Sequence, residues 1–177
     1  HTSGLPHSVD VQVNDQQGSY AGFRTDALYQ RLSEAELGFS PGTDSQYSNL
    51  GYGLLGHVLE QAGGDSYAVL LDRHVLAPLG LRNTTVLNYE DDQVANRLAK
   101  PHRGGVGSTI LPSTDLSERL VASGGLATTA DDMARLSAAV MATPSPLLDA
   151  HHQALLLTEY ALIEHNGTPS TGSKRTP

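Results

Sequence analysis

The 177-residue chain carries a formal net charge of −8, with 38% hydrophobic and 17% charged residues and no cysteine. This is the composition of one folded domain with a core, not of a disordered segment, and it excludes disulfides, thiolate metal sites and a cysteine nucleophile. Lys100 and Lys174 are the two lysines; with no basic patch, nucleic acid is not an expected partner, and no apolar run approaches the ~20 residues of a membrane-spanning helix.

The chain opens at His1-Thr2-Ser3-Gly4-Leu5-Pro6 instead of Met, which leads to the expectation that an N-terminal part, with any targeting segment, is missing. Residues 1–24 are rich in Gly, Pro, Ser and polar residues and read as loop. Leu28, Leu32 and Ala35 at helical spacing predict a short amphipathic helix over 25–37. A loop follows from Gly38 to Ser48, with Pro41-Gly42 as its turn signal. Leu50, Leu54, Val58, Leu59 and Ala62 form one stripe of a helix over about 49–62 that Gly63-Gly64 ends. Asp65 or Ser66 can cap the next helix, which carries Tyr67, Leu70, Leu71, His74 and Val75 on one face and is closed by Pro78 and Gly80.

Residues 83–122 are mostly polar, with Gly104-Gly105 and Gly107 reading as a flexible surface loop and Val86-Leu87 and Thr109-Ile110-Leu111 as short strands. Ser123-Gly124-Gly125-Leu126 leads into a helix over about 130–142, with Thr129 as N-cap, Asp132 at its third position as a variant capping box, and Met133, Leu136 and Val140 as its buried stripe. Pro144 and Pro146 stop it, His151–Leu157 is one more helical segment, and the polar tail from Thr168 reads as mobile. Eight histidines are scattered without a His-Glu-x-x-His or similar spacing, so no metal site is expected.

The stretch Pro41-Gly42-Thr43-Asp44-Ser45-Gln46-Tyr47-Ser48-Asn49-Leu50-Gly51-Tyr52-Gly53-Leu54-Leu55-Gly56 resembles the second motif of the penicillin-binding-protein/class C β-lactamase family, in which a Tyr-x-Asn triplet follows a Pro-Gly-Thr loop and opens a helix. Two flanking blocks agree in order. His1 to Pro6 is similar to the loop that the family places before this region. Ser123 to Leu136, with Gly-Gly-Leu-x-Thr-Thr-x-x-Asp-Met-Ala-Arg-Leu, is similar to its later Gly-Gly segment and helix. The likeness covers roughly residues 1–142.

The resemblance implies an α+β fold in which an antiparallel sheet flanked by helices joins a mainly helical domain, with the active site between them. This chain would supply mainly the helical domain with sheet-edge pieces, residues 1–143 forming part of the domain and 144–177 its C-terminal continuation. A missing sheet would leave apolar helix faces uncovered, so marginal stability or self-association is expected of the chain alone. The implied activity is that of a serine hydrolase acting on amide or ester carbonyls (β-lactams, D-alanyl peptides or simple esters) through an acyl-serine intermediate. It needs no cofactor, takes a small-molecule or peptide substrate, and is placed in the periplasm or outside the cell by the family.

Residue by residue, the resemblance makes Tyr47 the acid/base and Asn49 the orienting residue, both at a helix start facing the cleft. A phenol near ammonium groups ionises more readily and can shuttle a proton between a serine and a leaving group; an amide offers donor and acceptor together. Apart from the family, a Tyr at such a junction packs and an Asn there caps. His165-Asn166-Gly167 matches the third motif, Lys/His-x-Gly, in letters. Its spacing from the preceding helix is short and no apolar strand follows, so a surface turn is the other reading. The first motif, Ser-x-x-Lys, is not present: the positions three before Lys100 and Lys174 are Arg97 and Thr171. The family places that motif upstream, so this chain contains no assigned nucleophile and is expected to be inactive by itself. The alternative is a non-catalytic binding or assembly protein that kept the scaffold.

Overall fold

The structure, a computed structural model, describes residues 1–7, 24–87, 91–99, 102–103, 109–110 and 120–158. Residues 8–23, the Gly104–Gly107 stretch, Leu111, His165 and the tail from Thr168 lie outside the described residues.

The first helix, α1, is Thr25–Glu34, three residues shorter than its pattern suggests. Ala35 turns to extended backbone, and the chain beyond it is drawn to the N-terminal segment, where the Gly38 N–H donates to the Gly4 carbonyl at 2.9 Å. Leu28 of α1, Leu50 and Leu120 are almost wholly buried and form the core, with Leu5, Ala27 and Leu32 packed around them.

Helix α2, Asn49–Gly63, is capped by Ser48 and ends at Gly64 in the left-handed conformation. Its buried face is Leu50, Gly53, Gly56 and His57; of the expected stripe Leu50 is buried and Leu54 half-buried, whereas Val58 and Leu59 are exposed and Ala62 with them. The reason is close approach. Helix α6, Val121–Gly124, packs against the glycine side of α2, and a Cβ at Gly56 would lie 2.6 Å from that of Ala122. Backbone-to-backbone contact on that side displaces side-chain burial on the other.

Ser66, not Asp65, caps α3 (Tyr67–Leu71), its hydroxyl accepting from the Val69 N–H. Asp65 pairs with Arg73 at 2.7 Å. The helix widens into a π-helical turn over Asp72–Leu76 before α4, Ala77–Leu79. Pro78 thus lies inside the last turn, behind a widened segment that tolerates its missing N–H and bulky ring better than a regular turn. Strand β1, Thr85–Val86, pairs antiparallel with β4, Leu126–Ala127, in the register Thr85↔Ala127 and Val86↔Leu126. Strands β2, His102–Arg103, and β3, Thr109–Ile110, form a second antiparallel pair. A short α5, Asp92–Ala95, capped by Asp91, lies between the two ladders in sequence. Helices with two short ladders make an α+β chain that is mainly helical with sheet-edge pieces, in agreement with the expected fold.

Helix α7, Ala130–Met141, starts at Thr129, whose hydroxyl accepts from the Asp132 N–H at 3.4 Å. The reciprocal half of the capping box is replaced. The Asp132 carboxylate, 3% exposed, accepts instead from the Asn83 N–H at 2.8 Å and the Thr84 hydroxyl at 2.9 Å, tying α7 to the turn before β1. Met133 is exposed while Leu136 and Val140 are half-buried; Asp132 and Ala139 are the buried residues of this helix. Helix α8, Ala150–Leu157, returns to α7 through the buried Gln153 side chain, which donates to the Val140 and Ala142 carbonyls at 2.9 and 2.6 Å. Among the described residues, no helix is long and apolar enough to cross a membrane.

Replacing Asp132 by Ala removes the buried carboxylate that accepts from the Asn83 N–H and the Thr84 hydroxyl. A loss of about 2–3 kcal/mol and a fall in Tm of roughly 5–10 °C are expected in thermal unfolding followed by circular dichroism. An unchanged Tm would show that the α7 start is not held by this carboxylate.

Candidate functional site

Residues 1–7 lie along the loop that leads into α2. The Gly42 N–H donates to Thr2 O at 2.8 Å, the Gln46 N–H to His1 O at 2.9 Å and the Asn49 N–H to His7 O at 2.9 Å. Gly4 takes φ +75°, and a Cβ there would collide with the Phe39 carbonyl oxygen, so this crossing of the two segments requires glycine. Ser48, 1% exposed, joins them: its hydroxyl donates to Pro6 O at 2.7 Å and accepts from the Gly51 N–H at 2.9 Å.

The result is an aromatic cluster at the start of α2. The Ser48 N–H donates to His1 Nδ1 at 3.2 Å, which leaves Nε2 to carry the proton of a neutral ring. The His1 ring lies 4.5 Å from Tyr47 and 4.8 Å from Tyr52, centroid to centroid, and the His7 ring lies 5.2 Å from Tyr47 on its own account. Tyr47 keeps 43% of its surface exposed.

The His1, Tyr47 and Tyr52 rings line a cleft of about 230 Å³, together with Tyr67 and the run from Val121 to Leu126. The last residues of that run are held by the β1–β4 pairing, with the Leu87 N–H on Gly125 O at 2.7 Å. Its one serine, Ser123, donates its hydroxyl proton to Leu120 O at 2.6 Å. The described walls carry phenols, an imidazole, backbone and small apolar groups, and no carboxylate. Such a surface can stack on a flat or apolar group and exchange hydrogen bonds through its phenols. Tyr47 is the phenol left most open at the head of the helix.

Burial pushes the Tyr67 phenol above its ordinary pKa of 10.0, because the phenolate is poorly solvated there. Behind the cleft, the buried His57 shares a hydrogen bond between its Nε2 and the Tyr29 hydroxyl, 2.8 Å away, and faces Glu60 across 3.9 Å. Glu60 in turn accepts the Tyr67 N–H at 2.9 Å, so this polar chain anchors the helix that carries one wall. Sequence reasoning grouped His57 with the scattered histidines.

Of the three residues singled out from the sequence, Tyr47 is in the cleft wall. Asn49, the first residue of α2, is half-buried and is not among the described wall residues. His165, like both lysines, lies outside the described residues. The sequence reading missed His1, Tyr52 and Tyr67 as neighbours of Tyr47. His1 carries no local signal for this, since it is brought in from across the chain. Tyr52 did carry one, five residues after Tyr47 on the same helix start.

The chain matches the Beta-lactamase family over residues 1–174. It is 32% identical over 143 residues to "Beta-lactamase-like protein 4" of Dictyostelium discoideum, covering 77% of this chain and 24% of that protein. It is 35% identical over 113 residues to "Esterase EstB" of Burkholderia gladioli, covering 59% and 28%. Among solved structures it is similar to the beta-lactamase/D-alanine carboxypeptidase of Yersinia pestis, with a TM-score of 0.64 at 30% identity, covering 88% of this chain and 41% of that one. The chain thus spans about a quarter of the length of these curated relatives.

The raised phenol has a pH signature. Its folded-state pKa exceeds the unfolded value, so the stability it confers is complete below pH 10 and is lost as pH rises through the folded pKa. Alkaline titration of tyrosinate absorbance should lose a component that titrates above the ordinary tyrosine range in Tyr67→Phe, and the variant should resist unfolding above pH 10 better than the parent. An unchanged titration curve would contradict the assignment.

Proposed function

The chain belongs to the Beta-lactamase family, a family of serine hydrolases, and on that premise we propose that residues 1–177 furnish the proton-transfer wall of an acyl-transfer site. The observation that carries this reading is the position of Tyr47, whose ring stands half-exposed in the cleft wall at the head of α2, flanked by the His1 and His7 rings.

The substrate class is an amide or ester carbonyl: a β-lactam, a D-alanyl peptide or a simple ester. A serine hydroxyl attacks the carbonyl carbon while Tyr47 accepts its proton. Collapse of the tetrahedral adduct expels the amine or alcohol, to which Tyr47 returns the proton, and water then cleaves the acyl-serine by the same route. Asn49 orients the substrate or the activating ammonium through its amide, and His165 is the candidate for the third motif. The nucleophile is supplied by a Ser-x-x-Lys motif outside residues 1–177, since neither lysine of this chain has a serine three positions before it. The names of the relatives, an esterase and a beta-lactamase/D-alanine carboxypeptidase, support this substrate range.

Two measurements test the proposal. Residues 1–177 treated with a fluorophosphonate should show no covalent adduct by intact mass; a stoichiometric adduct mapped to one serine of this chain would overturn the placement of the nucleophile. In a protein that carries these residues together with the Ser-x-x-Lys motif, Tyr47→Phe should lower kcat for ester or amide hydrolysis by about 10²–10⁴ with little change in Tm. Full activity in that variant removes Tyr47 from the chemistry, and inactivity of the parent itself favours the scaffold-only alternative.

A further inference from the structure

His1 holds both chain neighbours of Tyr47. Its carbonyl oxygen accepts from the Gln46 N–H at 2.9 Å, and its Nδ1 accepts from the Ser48 N–H at 3.2 Å. The same imidazole lies against the Tyr47 ring, 4.5 Å between centroids at a tilt of 35°, and against Tyr52 at 4.8 Å. One residue thus grips the backbone on either side of the phenol and the phenol itself.

The two backbone bonds differ in what they ask of this position. Any amino acid supplies a carbonyl oxygen to Gln46, whereas the Ser48 bond needs a side-chain acceptor two bonds beyond Cβ. Ser48 is 1% exposed and its backbone is extended, ahead of the first turn of α2. A buried N–H without an acceptor is costly, so the rigid peptide plane that joins Tyr47 to Ser48 is oriented by the imidazole nitrogen. The Tyr47 ring, 43% exposed, has little other packing to choose its rotamer. His7 lies against it at 5.2 Å, but the backbone tie of His7, from the Asn49 N–H, runs through its carbonyl and asks nothing of its side chain.

We infer that His1 is a positioning residue for the Tyr47 phenol. Its neutral imidazole, accepting at Nδ1, fixes the Tyr47–Ser48 peptide and one face of the ring, and so sets where the phenolic oxygen stands in the cleft. The inference rests on the reading of Tyr47 as the proton-transfer residue. His1 acts through Tyr47 and exchanges no proton with the substrate. Proton transfer needs heavy atoms within about 2.6–3.2 Å of one another, and a displacement of about 1 Å lowers the rate by about 10²-fold, so a phenol released from its clamp loses rate without losing its acid/base group.

The test measures kcat and KM for ester or amide hydrolysis in a protein that carries residues 1–177 together with the Ser-x-x-Lys motif. His1→Phe keeps a flat ring and removes the acceptor. His1→Asn removes the ring and keeps an acceptor, its amide oxygen standing as many bonds from Cβ as Nδ1 does. The expected result is a kcat lower by roughly 10–10²-fold in His1→Phe with KM within about twofold of the parent. His1→Asn should recover kcat to within about fivefold of the parent. Added to Tyr47→Phe, His1→Phe should cause no further fall, because the two act as one unit. Parent kcat in His1→Phe, a His1→Asn no better than His1→Phe, or the same loss with and without the Tyr47 hydroxyl would each overturn the inference. Full activity in Tyr47→Phe overturns the reading of Tyr47 and this inference with it, whereas an impaired Tyr47→Phe beside an unimpaired His1→Phe overturns this inference alone. Thermal unfolding by circular dichroism checks the fold of every variant. If His1→Phe is unfolded at the assay temperature, His1→Gln takes its place, its amide oxygen one bond farther from Cβ, and the same outcomes apply.

Discussion

The Ser48 hydroxyl, donating to Pro6 and accepting from Gly51, is the junction on which the site depends. Its accepted bond satisfies one of the free N–H groups at the start of α2, the ordinary task of an N-cap. Its donated bond fastens that helix start to a segment more than forty residues away. Because Ser48 lies between Tyr47 and Asn49, the same residue decides where α2 begins and holds the phenol just outside the helix, against the rings of His1 and His7. A cap alone would start the helix; the added bond to Pro6 brings the aromatic neighbours to it.

The second constraint is the contact of α2 with α6. Gly56 on α2 lets Ala122 approach closely, which brings the Ser123–Leu126 segment after it to the far side of the cleft. That packing fixes which side of α2 is inside. A helix with apolar residues around most of its circumference then has a surplus on the other side, and the exposed Leu55, Val58 and Leu59 are its consequence.

Buried polar groups hold the remaining elements in register. Asp132 ties α7 to the turn before β1, Gln153 ties α8 to the end of α7, and His57 with Glu60 links α1, α2 and α3. Each spans elements that hydrophobic contact alone would leave free to slide, and each is worth keeping because a buried donor or acceptor without its partner costs more than the bond contributes.

Local pattern sufficed for much of this chain. The α+β class and the family followed from three blocks of residues in order, and the limits of α2 and α7 followed from Gly63-Gly64, Thr129 and the apolar spacing between them, because caps and periodicity act within a few residues. The position of Tyr47 just before the head of α2 was legible for the same reason. The buried face of α2 was not: hydropathy favours leucine over glycine, whereas close backbone approach favours glycine, and that preference exists only once α6 is in place. Asp132 looked like half of a capping box, yet its carboxylate serves a turn some fifty residues earlier. His1 and His7 carry no sign in the sequence that they stack on Tyr47. Short-range chemistry is written in neighbouring residues; which face is buried, which ring lies beside which, and where a carboxylate finds its donors are settled only when distant segments are packed against one another.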